Sequence, residues 1–270
     1  MIKKIVKFCV TAFAALIYLC PFYILIVYAL KRLTDQSSKW IPPAYLYLDN
    51  FINVLKKGNL LTAIKNNIII TASAVIIIIL ISSFASYPLA RLKTKLNNTI
   101  YMVLIAFMIV PPLSILVPLY RFMIDINGMN TYWGIILLHV TFNVPLAVFL
   151  YTGFMNNISV QLDEAAIIDG CNRISLFFRI IFPLLKNITV TVAILSGVSI
   201  WNDYQFSNFF LESSSMFTPT KALSQFISQF GNELGLVAAG CIISMLPILI
   251  LYFLLQKQFM SGSVAGAIKG

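Results

Sequence analysis

The sequence predicts an all-α, polytopic membrane protein with six transmembrane helices, on three observations. Of 270 residues, 60% are hydrophobic and only 10% are charged, against about 45 to 50% apolar and about 25% charged in soluble domains. The apolar residues gather into runs of about 20, the length that crosses a bilayer core as a helix. These runs are continuous, whereas a lipid-facing barrel strand alternates apolar and polar positions over about 10 residues. The short connections leave no room for a separate soluble catalytic domain of the usual ~100 residues, so the whole of 1–270 reads as one transmembrane domain.

The first run is Phe8 to Leu30. Lys3, Lys4 and Lys7 precede it as in a secretory signal, but no A-x-A site ends it, and it reads as a retained first helix. A long loop follows, Lys31 to Asn67, whose aromatic and proline pattern around Trp40, Pro42, Pro43, Tyr45 and Tyr47 suits an ordered structure on the outer membrane face. The next runs are Ile68 to Leu89, Ile100 to Tyr120 and Tyr132 to Phe154. Pro111, Pro112 and Pro118 in the third run free backbone carbonyls, as gating helices do and as kinked membrane helices do generally. The fifth run, Ile188 to Phe210, alone carries a charge, Asp203. The sixth is Leu234 to Leu255, followed by a polar, glycine-containing tail, 257–270, too glycine-rich for a stable helix by itself.

The net charge of +10 does not indicate nucleic acid, because the basic residues sit at the ends of apolar runs as membrane-flanking charge. Cytoplasmic termini put eleven of the nineteen Lys and Arg residues inside, a weak bias, since Lys31 and Arg32 flank the first run on the opposite side. Cys9, Cys20, Cys171 and Cys241 are isolated and show no metal or disulfide spacing. With a single histidine, no His-based metal site is expected.

The loop 156–187 carries the most information. Ser159 stands where an N-cap belongs, acids fill the first turns after it, and Gly170 stands where the helix ends. A second short helix begins near Asn172, with Ile174, Phe177, Phe178 and Ile181 at helical spacing before Pro183 breaks or kinks it. Helix, glycine turn, helix makes either a rigid knob for a partner's groove or an interfacial hairpin on lipid headgroups.

Glu164 to Gly170 (EAAIIDG), with Phe177, Ile181 and Pro183 after it, resembles the EAA loop of membrane subunits of binding-protein-dependent ABC importers. Further segments agree: Tyr87 to Leu92 (YPLARL), Pro111 to Tyr120 (PPLSILVPLY), Asn130 to Gly134 (NTYWG), Trp201 to Asp203 (WND) and Ser261 to Gly270 (SGSVAGAIKG). Together they are similar to the carbohydrate-uptake branch and its maltose-type second permease. Ser159, Cys171 and Asn187 depart from the usual residues of that pattern; small or helix-start replacements at the first two leave the loop intact, and Asn187 leaves the start of span five less defined.

The resemblance implies a type I importer permease fold with a cytoplasmic coupling loop, hence cytoplasmic N- and C-termini, in a bacterial cytoplasmic membrane. It implies a second homologous permease, two ATPase subunits that hold ATP and Mg, and an extracellular sugar-binding protein. The chain has no GxxxxGK[ST], so it is expected to be non-catalytic and to bind no cofactor itself. Asp163, Glu164, Ala165, Ala166, Asp169, Gly170, Phe177 and Pro183 are implied to couple to the ATPase, and Gly262, Ala265, Gly266, Lys269 and Gly270 of the tail to reach between the ATPase subunits.

Trp201, Asn202, Asp203 and Tyr204 suit a sugar route through ring faces, amide and carboxylate, or else form a structural cluster at the water interface. His139 and Asn143 share one helix face and suit interhelical hydrogen bonding or the path. Three rivals remain to be set against this. An intramembrane protease or acyltransferase needs a nucleophile with its base, paired carboxylates or HExxH, and none appears. An ion-driven transporter lacks an obvious charge relay within the spans. An ABC permease for a non-sugar solute such as glycerol phosphate shares much of the pattern.

Overall fold

A computed structural model describes residues 2–57, 59–230 and 233–267. It is helical, with no strand among the described residues. The elements are α1 (Ile2–Ala29), α2 (Asp49–Lys57), α3 (Leu60–Arg91), α4 (Lys95–Phe107), a 3-10 turn (Pro112–Ile115), α5 (Leu116–Asp125), α6 (Tyr132–Met155), α7 (Gln161–Ile168) and α8 (Arg173–Leu176). A π-helical turn (Phe177–Ile181) follows, then α9 (Phe182–Leu184), α10 (Lys186–Trp201), α11 (Gln205–Phe210), α12 (Pro219–Phe230) and α13 (Leu234–Ala267). Among the described residues four helices are long and apolar enough to cross a membrane, α1, α3, α6 and α13, and two bent pairs bring the number to six if each pair is one span.

One of those bent pairs, and a break near Asp203, correct two expectations. The third run is not one helix: α4 meets the segment from Pro112 at 93°. Pro111 holds φ −66° and ψ 129°, since a residue before proline is pushed out of the α region and Pro112 donates no N–H. The fifth run is broken as well. Its helix stops at Trp201 because the Asp203 carboxylate accepts from the N–H groups of Phe206 (3.1 Å) and Ser207 (2.9 Å) and starts α11 instead. Asp203 therefore lies in a break between helices rather than within a span. At the other end α10 leaves the α8–α9 segment at 75°. The sixth helix overshoots its expected end at Leu255 and runs to Ala267, because adding a residue to an existing helix costs far less than nucleating one.

The helices form two compact units. The first comprises 1–65 and 217–247. Its core is Ala29, Val54, Leu60, Phe226, Leu236, Ala238 and Ala239. The Asn50 amide closes the end of α1, donating to the carbonyls of Ala29 (2.9 Å) and Lys31 (2.8 Å). A Cβ at Gly235 would stand 2.6 Å from that amide nitrogen, so only glycine lets α13 approach. Lys31 is buried, and its ammonium binds Ser37 Oγ (2.7 Å) and the Ser38 carbonyl (2.8 Å). Arg32 lies over the rings of Tyr45 and Tyr47, 5.0 and 5.4 Å from their centroids. These two cations, which weakened the charge count, hold the 31–48 loop in place.

The second unit comprises 66–216 and 248–270. Its hub is α6, buried along its length from Gly134 to Met155. A helix apolar on all sides in lipid has no amphipathic stripe; packing picks out its buried positions. Ile70, Ala74, Ile78, Leu138, Tyr151, Leu176, Phe177, Val192 and Phe206 form the core around it.

Candidate functional site

The loop 156–187 folds as helix, turn, helix. Val160, not Ser159 as the sequence suggested, stands at the N-cap position of α7 and makes no side-chain cap bond, while Ser159 one residue earlier accepts from the Gln161 N–H at 3.3 Å through Oγ. At the far end Gly170 adopts φ +82°. The Gly170 N–H bonds the Ile167 carbonyl and the Cys171 N–H bonds the Ala166 carbonyl, at 3.0 and 2.9 Å, the paired closure that a left-handed residue permits at a helix end. Nothing lies within 4 Å of a Cβ built on Gly170, so φ alone, not crowding, selects glycine. Asn172 then caps α8, its side chain accepting from the Ser175 N–H at 2.8 Å.

The eight loop residues singled out from the sequence divide into two groups. Glu164, Ala165, Asp169, Gly170 and Pro183 are exposed, whereas Asp163, Ala166 and Phe177 are buried. Asp163 meets Arg91 from the end of α3. The guanidinium grips the carboxylate at both oxygens, Nε to Oδ2 at 2.8 Å and Nη2 to Oδ1 at 3.1 Å, and Tyr87 donates to Oδ2 at 3.0 Å. Arg91 Nη1 also donates to the carbonyls of Met155 (3.2 Å), the last residue of α6, and Ile158 (2.9 Å) just beyond it. One planar fork thus ties the ends of α3 and α6 to the start of α7, which a lysine ammonium cannot do. The Phe177 ring packs edge-on against Phe84 at 5.2 Å and Tyr87 at 5.9 Å. The loop is bolted to the bundle on one side and presents Glu164, Ala165, Ile167, Ile168 and Asp169 on the other. Asp169 stands at the C-cap of α7, where a negative charge opposes the helix dipole.

The path candidates do not stay together. His139, Asn143 and Asp203 line a cavity of about 270 Å³, with Ser199, Gln205, Phe107, Phe142 and Phe206 among the other walls. Trp201, Asn202 and Tyr204 do not line it. Trp201 is buried, with its carbonyl accepting from Asn67 at 3.0 Å, while Asn202 and Tyr204 are exposed. Among the described residues Asn143 bonds within its own helix, its amide donating to the His139 carbonyl at 2.8 Å, rather than between helices. His139 is buried, its Nε2 3.9 Å from Asp203 Oδ2.

Gly262, Ala265 and Gly266 of the tail fall on the last turns of α13; their side-chain surroundings, and Lys269 and Gly270 altogether, lie outside the described residues.

Sequence reasoning missed three features. Arg91 and Asp163 are 72 positions apart, and only the i, i+4 placement of Tyr87 and Arg91 at the end of an apolar run hinted at a shared polar target. Gln205 and Ser199 were hidden inside a run read as one helix.

The segment 78–261 matches the family described as binding-protein-dependent transport system inner membrane component. The chain is 44% identical to the melibiose/raffinose/stachyose import permease protein MelC of Bacillus subtilis (strain 168), covering 96% of this chain and 94% of that protein. It is 35% identical to the probable starch degradation products transport system permease protein AmyC of Thermoanaerobacterium thermosulfurigenes, covering 94% and 93%. Among solved structures, a chain from the crystal structure of a bacterial ABC transporter involved in the import of the acidic polysaccharide alginate aligns with a TM-score of 0.81. It is 21% identical, over 96% of both chains, a likeness of fold.

Proposed function

The chain belongs to the binding-protein-dependent transport system inner membrane component family, and on that premise we propose that it is the permease subunit of an ATP-driven importer of sugars or oligosaccharides. The observation that carries the substrate class is the 44% identity, over nearly the whole of both chains, to a permease named for melibiose, raffinose and stachyose. The subunit forms half of the translocation path, beside a second homologous permease. An extracellular binding protein delivers the sugar, and two ATPase subunits hold ATP and Mg and supply the energy. The chain is multi-pass in a bacterial cytoplasmic membrane with both termini inside.

Coupling runs through α7. Its exposed face, its closure at Gly170 and its attachment through Asp163 and Phe177 support a rigid lever: the ATPase moves the exposed side and the bundle receives the motion through Arg91 and the aromatic cluster. Small Ala165 permits close approach of the partner surface, and Glu164 and Asp169 offer carboxylates to basic groups on it. The tail beyond Lys257 adds a second contact between the ATPase subunits.

The test is uptake of labelled raffinose into vesicles holding the chain with its co-encoded partners. Uptake is expected to require the binding protein and internal ATP. Uptake that persists without the ATPase, driven by a proton or sodium gradient, rejects the reading.

A further inference from the structure

We propose that the segment 40–43 is seated in the lipid headgroup layer beside α1, with the Trp40 and Ile41 side chains entering the outer leaflet, so that the loop after the first helix anchors the chain in the bilayer. The assignment to the outer leaflet rests on the importer reading given above; the insertion rests on the geometry of the loop.

The loop turns back along the helix it leaves. The Tyr23 hydroxyl donates to the Trp40 carbonyl at 2.8 Å, and Tyr23 stands six residues before Ala29, the last of α1. Six residues of helix measure about 9 Å, and interfacial segments sit about 5 to 10 Å deep. α1 is long and apolar enough to cross a membrane, and it exposes Leu16, Leu19 and Phe22 on the approach to Tyr23. Trp40 and Ile41, 53% and 58% exposed, stand beside that apolar stretch.

Irregular backbone can approach lipid only where its N–H groups are already satisfied. Those of 40–43 meet the condition. The Trp40 N–H donates to Ser38 Oγ at 3.4 Å and the Ile41 N–H to the Ser38 carbonyl at 3.0 Å, while Pro42 and Pro43 have no N–H to satisfy.

The charges of the loop are settled within it. The Lys31 ammonium has three donors, and Ser37 Oγ, the Ser37 carbonyl and the Ser38 carbonyl receive them. The Asp35 carboxylate accepts from the Ser37 N–H and the Tyr45 hydroxyl. Tyr45 and Tyr47 turn toward Arg32, and the alternate residues Leu46 and Leu48 are exposed. Lys39 is exposed as well, and its long stem lets the ammonium rise to the headgroup phosphates. Charges paired inside and apolar side chains turned out reverse the arrangement of a loop made for water, and Trp and Tyr favour the membrane interface. The depth favours lipid over a protein arriving from water, which docks on what stands above the membrane and not about 9 Å back along a spanning helix.

The test uses the full importer in vesicles containing phosphatidylglycerol, with the four native cysteines replaced by alanine and a nitroxide attached to Ile41→Cys or, separately, to Trp40→Cys. Spin-label saturation reads collisions with oxygen, which concentrates in the bilayer, and with a nickel chelate, which stays in water. Gln36→Cys, exposed in the same loop, is the reference. The oxygen-to-nickel ratio at 40 and 41 is expected to exceed that at 36 by roughly tenfold, as a move from water to the acyl boundary implies. Ratios at 40 and 41 equal to that at 36 place both in water and overturn the proposal. Protection from both agents overturns it too, since a partner permease or the binding protein then covers the loop. Uptake of raffinose by the same vesicles separates the two readings: import with 40 and 41 in water leaves the importer without the anchor, and insertion without ATP-dependent import of any sugar leaves the anchor without the importer.

Discussion

A single buried guanidinium decides where the 156–187 loop sits. Arg91 and Asp163 are both largely excluded from solvent, with side-chain exposures of 9% and 8%, and truncating one member of a buried pair costs about 3 to 5 kcal/mol because the other is left charged and unpaired. Asp163→Ala and Arg91→Ala are each expected to lower thermal stability in detergent by that order. Arg91→Lys should rescue little, since a lysine replaces neither the two-pronged grip nor the bonds to Met155 and Ile158. The paired change Arg91→Met with Asp163→Leu should recover a large part of the loss, and a double variant no more stable than the singles would contradict the account. At Gly170 the argument is backbone alone. Gly170→Val is expected to cost about 1 to 2 kcal/mol, the price of φ above zero for a side-chain-bearing residue, while Gly170→Asn, which tolerates that region, should cost clearly less. Equal effects of Val and Asn, read by thermal unfolding, would show that something other than φ matters there.

Among the elements, the loop between α1 and α2 is held by charge and answers to pH. Hydrogen bonds from Ser37 and from the Tyr45 hydroxyl hold the Asp35 carboxyl well below its usual range, at about 2. A carboxylate depressed in the folded state stabilises above its unfolded value, about 3.9, and that contribution is lost as pH falls through the folded value. Hydrogen exchange across 33–46, corrected for its intrinsic pH dependence, is therefore expected to stay constant from pH 7 to about 4 and to rise below that; Asp35→Asn should remove the response. Loosening already at pH 6 would assign the loop to another group. The elements also show where sequence reasoning succeeds. Hydrophobic runs expose α1, α3, α6 and α13 because length and apolarity are properties of the run itself, and the α7 turn is legible because Gly170 and Asn172 act on their own neighbours. The bend at Pro111 and the break at Asp203 lie inside runs whose mean hydropathy is high; Pro111, Pro112 and Asp203 mark the places, but hydropathy alone does not say that the helix stops there. The Arg91 clamp and the Gln205 cavity join residues far apart in the chain, and no local pattern announces such a meeting.

At the scale of the whole molecule, the proposed reading has the permease receive its energy through contacts with ATPase subunits, and α7, closed at Gly170 and held through Asp163, is the element proposed to make them. Removing 257–270 is expected to reduce the amount of ATPase that co-purifies, while full retention with normal uptake would leave the tail without that role. The most direct test of coupling is the number of ATP molecules hydrolysed per raffinose imported, in vesicles holding the wild-type chain, Glu164→Ala or Gly170→Val with all partner subunits. The account predicts a fixed, low ratio for the wild type. It predicts for both variants a ratio raised about tenfold or more, as loss of a contact worth ~2 kcal/mol or more implies, or an ATPase lost from the complex while the six-span chain remains folded. Variants that keep the full ATPase complement and the wild-type ratio would contradict the claim that α7 carries the coupling.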